Sequence, residues 1–209
     1  LLLLGGALAL AFFGYHPTDP SLNTATEGAA LNPLGLAGAV AADLVLQSLG
    51  LAGYLVALVS VVWGWRLMTK KANPHLWLSL TVLPLALIFA AIALSVLPPP
   101  QGWPVSFNSG GFAGQSLLSL LLGWAGGLGT GISPGDLATI LAATAALPAL
   151  AGLGVALGLS GREWAMLLRH GWKALRGTVT TVFHIIAAVW GGVWRVAHLL
   201  LDRKKTDTR

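Results

Sequence analysis

The sequence predicts an all-α membrane protein. It has four transmembrane helices with both ends in the cytoplasm, outer interfacial segments and a cytoplasmic juxtamembrane amphipathic helix. Three observations predict this. The chain is 56% hydrophobic and only 9% charged, with mean hydropathy +0.78, whereas a soluble domain carries about 25% charged residues. Apolar runs of spanning length alternate with Pro- and Gly-rich stretches. All twelve Lys and Arg residues fall into two regions: Arg66, Lys70 and Lys71, then nine residues from Arg162 to Arg209. The stretches 14–50 and 98–136 hold none. Basic loops stay in the cytoplasm, so this pattern orients the helices as well as counting them.

A formal charge of +5 and a pI near 10.1 raise the question of nucleic acid. Topology and anionic lipid headgroups account better for these residues, each such contact being worth about 1 kcal/mol. With no cysteine in the chain, disulfides, thiol catalysis and zinc-thiolate sites are excluded. No cleavable signal peptide is visible, because the apolar start lacks a basic flank and a small-residue cleavage site.

Residues 1–14 read as the end of a longer first helix, since residues 1–13 span only about 20 Å. Residues 15–50 form an outer loop with an interfacial segment. Its prolines bar helix at the residues before them. Within it, Asp43 and Gln47 stand four apart on one face of an amphipathic segment at the outer surface. The second helix covers 51–68; whether it continues unbroken from the preceding segment stays open. Trp63, Trp65 and Arg66 mark its inner boundary, aromatic rings favouring the headgroup level and Arg snorkelling there. Residues 69–74 make a cytoplasmic turn, with Asn73-Pro74 opening the third helix, 75–97. Pro84 lies inside that helix and Pro98-Pro99-Pro100 ends it.

Residues 98–136 form a second outer loop with its own interfacial segment. Ser133-Pro134-Gly135-Asp136 starts the fourth helix, 137–160: Ser is the cap, Pro the first position and Asp the third. Gly154 and Gly158, four apart, read as helix-packing positions. Residues 161–202 form a cytoplasmic amphipathic region in which Trp164 and Trp172 suit the inner headgroup level. Trp190 and Trp194 are assigned the same anchoring role. The stretch 178–201 is long enough to span. Spanning would export Arg203-Lys204-Lys205 and put Arg195 near hydrocarbon, so an interfacial placement is preferred. Residues 203–209 read as the start of a linker.

An internal repeat is visible. Gly35-Leu-Ala-Gly38 and Leu49-Gly50-Leu-Ala-Gly53 precede the second helix; Gly111-Phe-Ala-Gly114 and Leu122-Gly123-Trp-Ala-Gly126 precede the fourth. Two such hairpins are related by an axis along the membrane normal.

No catalytic, cofactor-binding or metal-binding residues are assigned. The P-loop, G-x-S-x-G and H-E-x-x-H patterns are absent, and the five His residues are scattered. The spanning cores of the second to fourth helices carry no charge, which argues against an ion-coupled transporter.

Local motifs go further. Tyr15-His16-Pro17-Thr18-Asp19-Pro20-Ser21 resembles the Y-x-P-S-D-P-S stretch after the first membrane helix of FtsK/SpoIIIE-type DNA translocases, alphaproteobacterial members in particular. Asn32-Pro-Leu-Gly35, Ala42-Asp43-Leu44, Trp63-Gly64-Trp65-Arg66-Leu67 and Leu157-Gly-Leu-Ser160 resemble later landmarks in the same order. The resemblance implies the N-terminal four-helix domain of such a translocase. It would be a division-site anchor in the bacterial inner membrane for a hexameric, ATP- and Mg-dependent DNA motor lying beyond Arg209. Partners so implied are the lipid bilayer, other copies of itself and division-site membrane proteins, with DNA reached only through the motor. Tyr15, His16, Pro17, Asp19 and Pro20 are the candidate contact with a partner or neighbouring subunit. A helix stop without a partner is the alternative role for this loop. A small multi-pass transporter or lipid-handling protein is the alternative reading of the whole chain.

Overall fold

The computed structural model describes residues 1–26, 28–69, 76–127, 131–166 and 169. Every regular element among them is helical. The first is α1 (Leu2–Phe13), apolar on all sides. It ends at Gly14, and Pro17 soon afterwards bars its resumption. Next come α2 (Gly35–Leu49), a 3₁₀ turn (Gly50–Gly53) and α3 (Tyr54–Met68). The question the sequence left open is decided by Gly50. Its φ of +60° and ψ of −136° break the helix in a conformation that a side chain strongly disfavours.

The expected third helix is α4 (Leu76–Leu94), shorter at its end than 97, with turns at Ser95 and Leu97 before the three prolines. Pro84 sits inside it. In lipid such a proline is tolerated because neighbouring helices and side chains satisfy the freed carbonyl. A short helix α5 (Gly111–Gly126) follows, then α6 (Pro134–Ala156), with Pro148 inside it. The Ser133 hydroxyl accepts the Asp136 N–H, as the motif predicts, so α6 begins before 137. It also ends before 160. Gly158, at φ +67°, closes it: the Gly158 N–H donates to Val155 and the Leu159 N–H to Gly154. Gly158 therefore terminates the helix. Within α6, Gly152 meets a neighbour: a Cβ there would come within 2.8 Å of Ala86 Cβ.

Three helical runs are long and apolar enough to cross a membrane: residues 35–68 taken through the turn, α4 and α6; α1 is a shorter apolar helix. The chain is a membrane protein. Two helical hairpins organise it. In the first, α1 packs on α3, Gly5 lying against Ala57 and Val61 and Leu2 against Gly64. In the second, α4 packs on α6. Ala52 of the 3₁₀ turn joins the hairpins by packing with Ala90, Ala91 and Ala149. Small residues permit this closeness, which dispersion must supply where no hydrophobic effect operates.

The expected amphipathic exposure of α2 is corrected. Asp43 is only 3% exposed and faces the preceding loop, not water or headgroups. Residues from 160 onward form a separate unit. In its described part a helix covers 161–166, begun by a reciprocal cap between Ser160 and Glu163. The turn at Lys70-Lys71, the Asn73-Pro74 start, Trp172, Trp190, Trp194, the stretch 178–201 and the linker 203–209 lie outside the described residues.

Candidate functional site

The loop between α1 and α2 is held by two buried carboxylates. Asp19, 4% exposed, accepts the backbone N–H groups of Leu31 (2.7 Å) and Asn32 (2.9 Å), stapling the loop across a dozen residues. Asn32 then ties the loop to the helix end. Its side-chain amide donates to the carbonyls of Ala11 (2.8 Å) and Gly14 (3.0 Å), and its side-chain oxygen accepts the Leu34 N–H. These carbonyls belong to the unpaired last turn of α1, where a buried acceptor without a donor is costly.

Asp43 is the second carboxylate. It accepts hydrogen bonds from the Tyr15 hydroxyl (3.0 Å), the Asn23 amide (3.2 Å) and the Gln47 amide. Burial, with the Asp43 carboxylate adding to it and outweighing the opposing Gln47 bond, pushes the Tyr15 phenol up to about 12. A neutral phenol is therefore held as a donor to the carboxylate.

The five residues of the candidate contact divide. Tyr15 and Asp19 are buried and committed inside the chain, Pro20 is half-buried, and His16 and Pro17 are exposed. The exposed pair borders a groove of about 470 Å³ between the two loops, walled by Phe12, Tyr54, Pro100, Trp103 and Pro104. The Trp103 indole N–H is shielded from solvent and finds no acceptor among the described residues. Nowhere among those residues do three His, Cys, Asp or Glu side chains gather for a metal.

The second hairpin repeats the joint. The Asn108 side-chain amide donates to the Ser95 carbonyl beyond α4 (3.0 Å), and its oxygen accepts the Gly110 N–H (3.1 Å). Asn32, Gly35 and Gly38 thus recur at one offset as Asn108, Gly111 and Gly114. Gly35 and Gly111 both start their helices at positive φ, +61° and +66°. The second half of the sequence repeat does not hold, since Gly50 ends α2 whereas Gly123 lies inside α5.

Over residues 1–169 the chain matches the family described as the 4TM region of DNA translocase FtsK/SpoIIIE. The chain belongs to that family. Among curated relatives, each named DNA translocase FtsK, it is 37% identical to that of Caulobacter vibrioides over 163 residues, 75% of this chain and 19% of the relative. It is 35% identical to that of Azospirillum brasilense over 174 residues, 80% and 26% respectively. For Bradyrhizobium diazoefficiens the figures are 36% over 118 residues, 56% and 14%. The chain thus spans a quarter or less of the length of most relatives it matches. No solved structure matches it.

At the other end of this 4TM region, α6 is clamped by its neighbours. The Trp63 indole N–H donates to the Ala156 carbonyl (2.7 Å), Arg66 to Gly158 (2.7 Å) and the Ser79 hydroxyl to Val155 (2.9 Å). A cation and two neutral donors so meet the negative end of the helix dipole. Trp63 and Arg66, expected as headgroup anchors, direct these polar groups to a helix end. Trp65 is 61% exposed, Trp164 half-buried in its own unit, and Gly154 buried within α6. Sequence reasoning missed Asn108, Ser79 and Glu163 in these roles. Asn108 stands three residues before Gly111 as Asn32 does before Gly35, and Ser160 with Glu163 forms the S-x-x-E signature. Ser79 had no local signal, because its acceptor is distant in sequence.

Proposed function

We propose that this chain is the membrane anchor and assembly module of a division-site DNA translocase. The translocase moves chromosomal DNA as a hexameric, ATP- and Mg-driven motor carried elsewhere in the full protein. The observation that carries the reading is the collinear family match over residues 1–169. It favours an anchor over a small transporter or lipid-handling protein. In this reading α1, α3, α4 and α6 cross the bacterial inner membrane. The loops holding Tyr15 and Trp103 face outward, and Arg66 and the 161–202 region face the cytoplasm with their tryptophans at the headgroups. The confinement of every Lys and Arg to two regions supports that orientation.

The outer groove serves contact with division-site membrane proteins, with His16, Pro17 and Trp103 at its rim. Tyr15 and Asp19 shape the loop from within, and Pro20 limits its conformations. Support comes from the buried Trp103 N–H, which has no acceptor among the described residues, beside an exposed aromatic and proline surface.

Two measurements test the reading. Single cysteines at Thr26, Lys70, Ser106 and Lys173 meet no background thiol. An impermeant reagent labels Thr26→Cys and Ser106→Cys from outside intact cells and spares the other two; outside labelling of Lys70→Cys overturns the orientation. A fluorescent full-length protein collects at the septum. Continued septal recruitment after residues 1–169 are exchanged for an unrelated four-span segment overturns the anchoring role.

A further inference from the structure

Asp43 is a buried carboxylate with no cation beside it among the described residues. It is 3% exposed, and its three donors, the Tyr15 hydroxyl and the side-chain amides of Asn23 and Gln47, are all neutral. A buried carboxylate is ordinarily paired with a cation. Residues 14–50 and 98–136, which build this end of the molecule, contain no Lys or Arg to supply one. His16, the one histidine in those stretches, borders the groove of Trp103 instead.

The two amides carry this charge outward. Each spends its NH₂ end on Asp43, so its oxygen end is turned away from the carboxylate. Neither oxygen accepts a hydrogen bond among the described residues. Asn23 and Gln47, with Ser48, Phe107 and Phe112, line a cavity of about 250 Å³ where the two hairpins meet. Its two phenylalanine rings stand edge to face, 5.5 Å apart. An amide bonded to a carboxylate is polarised by it, which strengthens its oxygen as an acceptor. The cavity thus offers acceptors and aromatic rings, with a negative charge one amide behind them. An anion finds no basic group there. A hard metal ion requires a shell of oxygen ligands, and no three His, Cys, Asp or Glu side chains gather among the described residues.

We propose that this cavity seats the guanidinium of an arginine carried by the outer segment of a division-site partner protein. A guanidinium is planar, donates through five N–H groups, accepts nothing and stacks on aromatic rings. Those properties match two amide oxygens beside two phenylalanines, and its charge supplies the counter-ion that Asp43 lacks. The volume suits the end of a side chain, since pockets for free ligands run from about 300 to 1,000 Å³. The proposal deepens the assembly reading above and rests on it for the existence of an outer partner. The seat itself stands on Asn23, Asp43 and Gln47.

Peptide binding tests the seat. The chain in phosphatidylcholine nanodiscs is titrated with end-capped Gly-Arg-Gly and with its citrulline counterpart, a neutral urea of nearly the same shape. Saturation-transfer NMR reads binding against empty discs. The arginine peptide binds about tenfold or more tightly than the citrulline one, as hydrogen bonds to a charged group predict. Equal binding of the two, or binding of neither, overturns the proposal. Asn23→Ala and Gln47→Met each weaken arginine-peptide binding about tenfold, and Phe112→Leu about threefold. Gln47 supports Asp43, so Asn23→Ala and Phe112→Leu, both at exposed positions, keep the test decisive where Gln47→Met unfolds. Unchanged binding in the folded variants overturns the site. Loss of binding when phosphatidylethanolamine is added to the discs assigns the seat to a lipid ammonium and overturns the protein partner. In cells, the full-length protein carrying Asn23→Ala and Phe112→Leu collects less at the septum. Recruitment that needs residues 1–169 yet is intact in this variant overturns the arginine contact and leaves the anchoring reading standing. Recruitment that does not need residues 1–169 overturns both.

Discussion

The two hairpins use one joint and differ in what surrounds it. In both, an asparagine donates to a carbonyl at or just beyond the end of the preceding helix, and a positive-φ glycine starts the next helix three residues later. The first hairpin adds Asp19, Asp43, Tyr15, Asn23 and Gln47, which bury the inner face of α2. The second has Ser119 where the first has Asp43, and leaves it exposed. The first also passes directly from α2 into α3, whereas residues 127–133 intervene between α5 and α6. A shared joint thus fixes how one helix leaves the helix before it. The side chains beyond it decide whether that helix is enclosed or left for something else to cover.

The sharpest way to break this comparison is at paired glycines. Gly50→Ala puts a Cβ against the backbone of Ser109 and Gly111 and into a strained conformation. We expect a loss on the order of 3 kcal/mol, read as a lower denaturation midpoint of the solubilised chain. Gly123→Ala, its counterpart in the sequence repeat, meets nothing and lies within a helix. It should be neutral or stabilising by about 0.5–1 kcal/mol. Equal losses at both sites would mean that the α2–α5 contact does not hold the hairpins together.

A smaller contrast separates the two asparagines. Asn32→Ala removes three hydrogen bonds and Asn108→Ala two. At about 1 kcal/mol for each bond, Asn32→Ala costs more by that amount, and both raise amide exchange in the short helix that follows. A larger loss at Asn108 would reverse the order of importance assigned to the two joints.

An effect that only the first hairpin can show is alkaline. Tyr15 holds its proton to about 12 against an ordinary 10. The folded state binds that proton more tightly than the unfolded chain. This contribution to stability is complete below pH 10 and is lost as pH rises from 10 towards 12. In a Tyr54→Phe background, tyrosinate absorbance reports Tyr15 alone, since the chain has two tyrosines. A midpoint at 10 would mean that the phenol is not enclosed with Asp43. Amide exchange should rise over residues 15–34 in this range and stay unchanged over 98–110.

Composition and the placement of Lys and Arg were enough to read an apolar helical membrane protein, because lipid demands internally satisfied backbones and basic loops resist export. The Ser133-Pro134 start was legible because a cap is built from adjacent residues. Motif order alone led to the FtsK/SpoIIIE resemblance. Only the tertiary structure decided that Asp43 faces inward and that Trp63, Arg66 and Ser79 hold the end of α6. It also decided that Gly50 breaks the run from α2 to α3, since that break is stabilised by a backbone contact with Ser109 and Gly111. Each of these depends on partners that are distant in sequence. Periodicity and propensity describe a residue's neighbours along the chain, whereas burial and hydrogen bonding depend on its neighbours in space.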